Sequence, residues 1–423
     1  MTTSHRDHLG RPVIAVTGHG VVTSLGTGKA DNWAALTAGQ SGIHAITRFA
    51  TEGLGTRIAG TIDFIDGQPE TAADLSYALA ELAAGEAIGE AGLPRGQFPG
   101  PLFMAVPPVE IEWPQRLAFD AAGAEDRHGY GRLISGAKAR NWSWPYDRFV
   151  FAGVAERTAE TFGTQGVPIS LSTACASGGT AVQLGVEAIR RGDCEAALCI
   201  GTDGSINTES LIRFSLLSAL STKNDLPEQA AKPFSKNRDG FVMAEGAGAL
   251  VLESLDHALA RGAEVLAILA GIGERADDFH RTRSKPDGSA VIGAIRNVLD
   301  DAGLGTDAID YVNAHGTSTP ENDKMEHLAL DHVFGDQLAK MAVSSNKSMI
   351  GHTLTAAGAV EAVFSIMTMR AGRIPPTINY TEPDPDIAMD VVPNTARDAD
   401  VASVMSNSFG FGGQNVCLVM TAP

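Results

Sequence analysis

The chain has 423 residues, of which 44% are hydrophobic and 19% charged, and its formal net charge is −18. Length and composition fit a globular protein with a large core and more than one structural unit. The acidic balance argues against nucleic acid or an anionic membrane surface as the main partner, and no apolar run approaches the length that spans a bilayer.

The N-terminal stretch MTTSHRDHLGRP is polar and lacks an apolar signal core, so a cytoplasmic protein is expected. Residues 12–17 (PVIAVT) read as a first strand that runs into GHGVVTSLG. The pair Gly18-x-Gly20 hints at a dinucleotide fingerprint. Thr23 stands where the third glycine belongs and no helix follows, which disfavours that reading. A short helix over 32–38, a strand over 56–62, a long Ala-rich helix over 70–91 and a buried strand over 101–106 come next. Residues 107–150 fit no regular period and hold three of the four tryptophans, with Arg116, Arg127, Arg132, Lys138, Arg140 and Arg148 scattered among them. A stretch of this kind is either a functional cap or a dimer-contact excursion. Helical character resumes over 148–162.

The segment VPISLSTACASGGTAVQLGVEAIRR, residues 167–191, has three parts. Its first five residues are β-prone and read as a short buried strand. A run of small residues around Cys175 follows. From Thr180 the apolar positions take helical spacing. Cys175 therefore sits on a strand-to-helix turn. Unpaired N–H groups and the helix dipole favour a thiolate there, and in such settings a thiol pKa of about 8.5 drops to between about 3.5 and 7.5. The bland alternative is a small core cysteine. Cys194, Cys199 and Cys417 complete the set; no CxxC pair occurs, so neither a zinc site nor a disulfide framework is suggested. Cys199 and Cys417 lie in apolar strands and read as core.

Strands over 195–201 and 246–253 flank a helix over 209–217. The alternation then repeats: strands over 264–270, 309–314, 342–345, 401–406 and 416–420, with helices over 289–302, 320–334 and 354–371. Alternating strands and helices predict α/β layers with mostly parallel sheets. Each half places a candidate reactive residue between a strand and a helix, Cys175 in the first and His315 in the second, as an internal duplication would. The division falls near residue 260, giving halves 1–260 and 261–423 that share one core.

His315 stands in YVNAHGTSTP and His352 in SNKSMIGH, both at strand-to-helix junctions. Active sites of α/β folds are built at such junctions. His5, His8, His257, His280, His327 and His332 read as ordinary surface or packing residues. The glycine-rich NSFGFGGQN, residues 407–415, follows a strand but lacks a residue for phosphate. A mobile loop carrying an aromatic side chain fits it better.

STACASGG, NAHGTSTPENDK, SNKSMIGHTLTAAGAVE and NSFGFGGQN resemble the four signature blocks of the β-ketoacyl-acyl-carrier-protein synthases, and most resemble the elongating type II branch. The resemblance covers nearly the whole chain. It implies a thiolase-like fold, with two duplicated α/β halves in five layers, and a homodimer. It further implies that Cys175 takes an acyl group from acyl-carrier protein as a thioester. His315 and His352 would contact the malonyl thioester carbonyl and stabilise the enolate left by decarboxylation. The amides of Cys175 and Phe411 would form an oxyanion hole, with Phe411 gating the acyl pocket and Phe409 beside it. Lys347, paired with Glu361, would hold the histidine region; Thr317 and Thr319 would meet the pantetheine arm; Asp323 would be structural. No cofactor or catalytic metal is implied. The partners are acyl- and malonyl-carrier protein.

Two departures stand out. The helix after residue 65 carries no Lys or Arg where the family meets its acidic carrier, which shifts docking to residues 127–148 or to Arg213, Arg281 and Arg283. The Trp-rich stretch also diverges, which leaves a specialised enzyme for very long or polyketide-type chains as the alternative. A non-catalytic partner subunit would lack the nucleophile, and a degradative thiolase would carry a second reactive cysteine near its C-terminus.

Overall fold

The computed structural model describes residues 5–65, 67, 69, 71–139 and 148–423. Its centre is a sheet whose first five strands are β1 (Ile14–Thr23), β2 (Leu102–Ala105), β3 (Ile169–Leu171), β4 (Ala196–Asp203) and β5 (Gly246–Ser254). The next five are β6 (Ala267–Ala276), β7 (Tyr311–Asn313), β8 (Ala342–Ser344), β9 (Ser403–Phe409) and β10 (Gln414–Thr421). In space the first five run β3-β2-β4-β5-β1 and the second five run β8-β7-β9-β10-β6. Chain order and spatial order match position by position. The directions match too: β2 is parallel to β3 and β4, and β7 to β8 and β9, while the remaining neighbours are antiparallel. The sheets are therefore mixed, not mostly parallel as the alternation suggested. A four-residue loop turns β9 directly back into β10, and a connection that short cannot make a parallel crossover. The two sets join edge to edge where β1 pairs briefly with β6.

Helices cover both outer faces and fill the space between. Helix α1 (Ala72–Glu90) packs on the first set, and α3 (Ser289–Ala302) and α4 (Pro320–Phe334) belong to the second. Between them lie α2 (Ser177–Arg191) and α5 (Ala357–Ala371), which touch each other and both sheets. This gives five layers, the thiolase-like arrangement. The stretch Leu354–Ala371 has 18 residues and a mean hydropathy of 1.2, long and apolar enough to cross a membrane by composition alone, yet 83% of it is buried within the protein. Its apolar surface serves two sheets at once.

Local sequence explains several of these placements. Strand β1 continues through GHGVV to Thr23 and does not stop at residue 17. A Cβ at Gly18 would lie 2.0 Å from the Ala87 carbonyl oxygen, and one at Gly20 would lie 2.1 Å from that of Ala83. These glycines let α1 press on the strand, which removes the dinucleotide reading. The same helix turns acids onto β1: Glu86 accepts from Val21 N at 3.0 Å, and Glu90 from His19 N at 2.9 Å. That inward duty accounts for a helix poor in basic residues. Residues 107–150 are more ordered than their pattern suggested, with helices over Trp113–Ala121 and Gly129–Ala139. Trp142 and Trp144 lie outside the described residues. Strand β3 was expected to be buried, but Val167 just before it is 86% exposed and Ile169 is 44% exposed, because β3 is an edge.

The middle layer brings two helices together backbone to backbone. A Cβ on Gly178 would come within 2.5 Å of Ala359 N, and one on Gly358 within 2.4 Å of Gly179 N. Both clashes are with backbone, so side-chain rearrangement cannot relieve them. Gly358→Ala is expected to destabilise the protein by about 1–3 kcal/mol and to displace α5 from α2. Denaturant unfolding measures the first effect; an unchanged midpoint would mean that the helices are free to separate.

Candidate active site

The turn that carries Cys175 is fixed by its neighbours. The Ser177 hydroxyl accepts from Thr173 N at 2.7 Å and donates to the Ala174 carbonyl at 2.5 Å. Ala174 takes φ +51°, a left-handed conformation that costs an L-residue roughly 1–2 kcal/mol. The strain aims Cys175 into the site ahead of α2, which starts at Ser177, earlier than its apolar spacing suggested.

His315 leaves β7 into a loop gripped by Glu326. One carboxylate oxygen accepts from His315 N at 2.9 Å, the other from Gly316 N at 2.7 Å, and Asn407 Nδ2 donates to the first at 3.1 Å. Glu326 thus ties the His315 loop to β9. Sequence reasoning missed it. Its signal was a charged residue on the apolar stripe of α4, beside Met325, Ala329 and Leu330, all buried. Asp323, one turn earlier, accepts from Phe234 N at 2.8 Å and Ser318 N at 3.2 Å. Thr317 and Thr319 line the neighbouring cavity and bond each other at 2.9 Å. Thr319 also caps α4.

His352 follows Gly351 (φ +79°) and is held by its backbone: its amide donates to the Val242 carbonyl at 2.7 Å, and its carbonyl accepts from Ala244 N at 2.9 Å. Its Nδ1 accepts from Leu354 N at 3.3 Å, which assigns the ring proton of the neutral imidazole to Nε2. That Nε2 is buried with no partner among the described residues, so it presents a free donor. The His315 and His352 rings meet edge to face, with centroids 5.3 Å apart. Cys175 Sγ and a ring nitrogen of each histidine all lie within 4.8 Å of one another.

Charge around these groups is set by burial. Lys347 forms a buried ion pair with Glu361 and brings Nζ to 3.4 Å from His315 Nδ1. Desolvation, together with the Lys347 ammonium, holds both imidazoles well below 6.5, so both are neutral near pH 7. Burial pushes the Glu361 carboxyl up to about 7, against the pull of the touching ammonium. The same ammonium opposes a dication on the Cys–His–His cluster. Burial also pushes the Cys175 thiol up to about 11, although the Phe411 amide, which donates to its sulfur, and Lys347 both pull it down. This corrects the expectation of a resting thiolate: the helix N-terminus is present, but the dry pocket wins. Behind the pair, Asn313 Oδ1, Glu361 Oε2, Ser406 Oγ and Asn407 Oδ1 are buried without partners among the described residues, and Asn313 is in register with Ser406. Such oxygens suit an ordered water or a monovalent cation.

Two cavities converge on Cys175. One, of about 380 Å³, holds His315, His352, Thr317 and Thr319 and opens past His280 and Arg283. The other, of about 400 Å³, is walled by Pro107, Pro108, Val109, Phe214 and Leu217. Phe411 belongs to both, at the junction, while Phe409 lines the histidine side. His280, read from sequence as ordinary, stands at the mouth of the first. Phe411 sits in a loop with φ near +90° at Gly412 and Gly413, tethered by Gly412 N to the Arg281 carbonyl at 2.8 Å.

Family models of the β-ketoacyl synthase N-terminal and C-terminal domains match residues 11–258 and 266–381. The chain belongs to the β-ketoacyl synthase family. Among its relatives, 3-oxoacyl-[acyl-carrier-protein] synthase 2 of Coxiella burnetii is 37% identical, covering 96% of this chain and 98% of that one. The tetracenomycin polyketide synthase ketoacyl synthase alpha subunit of Streptomyces glaucescens is 36% identical over 97% of each. A type II polyketide ketosynthase, solved in complex with its acyl-carrier protein and bound to a hexaketide, superposes with a TM-score of 0.85 at 32% identity. That likeness covers 98% of this chain and 100% of that one.

Because the thiol is protonated at rest, alkylation of Cys175 by iodoacetamide is expected to accelerate as pH rises past 9.0, toward about 11. Peptide mass spectrometry of alkylation rate against pH checks this; a plateau already reached near neutrality would show a thiolate.

Proposed function

We propose that this β-ketoacyl synthase is a 3-oxoacyl-[acyl-carrier-protein] synthase acting in fatty-acid elongation. It would join an acyl group held on Cys175 to the two-carbon unit of malonyl-carrier protein. The observation that carries the reading is the meeting of an apolar cavity and a histidine-lined cavity at one sulfur. The curated relatives named for this activity support it.

In the first step Cys175 Sγ attacks the acyl thioester, and the carrier's thiol leaves with the proton. The oxyanion is received by the Phe411 amide, which now points at the sulfur, and by the amide of Cys175. In the second step the malonyl thioester carbonyl accepts hydrogen bonds from His352 Nε2–H and His315. Carbon dioxide departs and its electron pair becomes the enolate. That carbon attacks the Cys175 thioester, a C–C bond forms, the C–S bond breaks with its electron pair on sulfur, and the thiolate takes a proton from water to restore the Cys175 thiol. Neutral imidazoles can fill this role, since each keeps one ring N–H to donate to the growing negative charge. Lys347 and Glu361 position His315, Thr317 and Thr319 meet the arm of the carrier, and Phe411 with Phe409 gates the junction. The nucleophile lies in the half 1–260 and both histidines in the half 261–423, so each half supplies what the other lacks.

The geometry favours one docking face. Arg213 pairs with Glu110 at the apolar cavity, and Arg132 with Asp120. Arg281 and Arg283 are exposed, make no ion pair among the described residues, and belong to the segment at the mouth of the histidine cavity. An acidic carrier would meet them there. Reversing both charges is expected to raise KM for carrier-bound substrates by about tenfold and to weaken the salt dependence. Turnover of a small thioester surrogate would stay unchanged; steady-state kinetics with both substrates decides, and an unaltered carrier KM would place docking elsewhere.

We also propose a homodimer paired through β3, whose open backbone edge and exposed Val167 and Ile169 invite a second strand. Ile169→Lys should shift sedimentation from dimer to monomer; a variant that remains dimeric places the interface on another face. Finally, intact-protein mass spectrometry with acyl-carrier proteins should show an acyl mass that Cys175→Ala abolishes. An acyl mass that persists in the variant would remove Cys175 as the nucleophile.

A further inference from the structure

Polar groups that line the apolar cavity are bonded within the protein, as Asp203 is by Ser205 and Thr355 and Asn207 by Ser210, but one acid is bonded through a single oxygen. The cavity wall of Pro107, Val109, Phe214 and Leu217 is interrupted by the carboxyl of Glu112, which is 7% exposed. Two residues earlier Glu110 is neutralised by Arg213 and by Arg116, whose Nη2 donates at 3.2 Å. Glu112 makes no ion pair among the described residues. Its one hydrogen bond among the described residues comes from Ala72 N, 2.6 Å from Oε1, at the start of α1. Glu112 Oε1 thereby takes one orphan N–H of the helix start, while Thr71 takes another by accepting from Asp74 N at 3.1 Å; only the second carboxyl oxygen is left over. Burial, reinforced by Glu209, Glu110 and Asp74, pushes Glu112 up to about 7 against the pull of the Ala72 amide. Near neutrality such a group offers an O–H donor as well as acceptors, and its second oxygen has no hydrogen-bond partner among the described residues. A saturated chain drawn into this cavity would strip water from the carboxyl and give nothing back. An oxygen on the chain would supply the missing partner.

We propose that the acyl chain carried by this enzyme bears an oxygen substituent, a hydroxyl or keto group beyond the thioester, that hydrogen-bonds to the Glu112 carboxyl in the wall of the acyl cavity. The proposal rests on the reading of Cys175 as the acyl carrier. It makes Glu112 a specificity-determining residue with no part in bond making, and the preferred donor the product of a reaction that installs or retains oxygen on the growing chain.

The test is competitive acylation of Cys175, read by intact-protein mass spectrometry. Saturated acyl-carrier proteins compete with hydroxyacyl and oxoacyl counterparts of the same length, the oxygen being moved stepwise along the chain. The wild-type protein is expected to favour one oxygenated position over the saturated chain by at least about tenfold. The hydroxy and oxo arms tell which oxygen is meant. Glu112→Leu should collapse that ratio, and Glu112→Gln, which still hydrogen-bonds, should keep part of it. If the leucine variant does not fold, the wild-type ratio and the glutamine variant decide. Acylation that proceeds without preference for any oxygenated chain overturns the proposal while leaving Cys175 as the nucleophile. Absence of acylation from every donor overturns the underlying reading and this proposal with it.

Discussion

Everything at the site depends on how closely α2 and α5 can approach. Cys175 stands at the head of α2, and His352 lies just before the segment that becomes α5. Glycine at 178 and 358 lets these helices meet backbone to backbone, at distances where a methyl group would overlap peptide nitrogen. Gly201 and Gly248 do the same on the sheet side, against Ala359 and its neighbours. The Cys175 sulfur from one set of strands and the His352 imidazole from the other thereby come within 4.8 Å of each other. Interiors packed at crystal-like density hold such a distance rigidly.

That rigid, dry junction sets the electrostatics. With water excluded, a charge is costly unless it is paired. The pair Lys347–Glu361 is therefore the charged partnership tolerated at the centre, and its ammonium keeps both imidazoles neutral. The thiol is neutral for the same reason. The resting site thus carries little net charge beside the reacting sulfur, and its donors, the Phe411 amide and His352 Nε2–H, are aimed before substrate arrives. Preorganised donors in a low-dielectric pocket are most effective where negative charge appears only during reaction.

Much of this was legible in the sequence because the signals were local. A cysteine in small residues between a strand and a helix, and two histidines in the same setting, located three of the central side chains. Helix α4 was read over its full span because Thr319-Pro320 caps it and Phe334-Gly335 ends it. What sequence concealed were relations between distant segments. The position of Glu326 makes sense only once β7 and β9 are neighbours. The ionisation of Cys175 depends on burial by residues scattered from 203 to 411. The mixed strand directions follow from a hairpin that the alternation of elements does not reveal. The exposure of β3 follows from its place at a sheet edge, which composition cannot show.

The same interleaving governs how the chain must acquire its structure. The partners of β1 lie some 240 residues away, at Gly246–Ser254 and Ala267–Ala276, and the helix that fills the space above β4 and β5 is synthesised among the last seventy residues. Helices α1 and α2 cover parts of the first set, but the middle layer over β4 and β5 is complete only once residue 371 has emerged. Contacts of such long range slow folding and leave apolar sheet faces uncovered while the chain grows. During synthesis, this architecture makes the incomplete protein a natural client for chaperones that shield unpartnered β-surface.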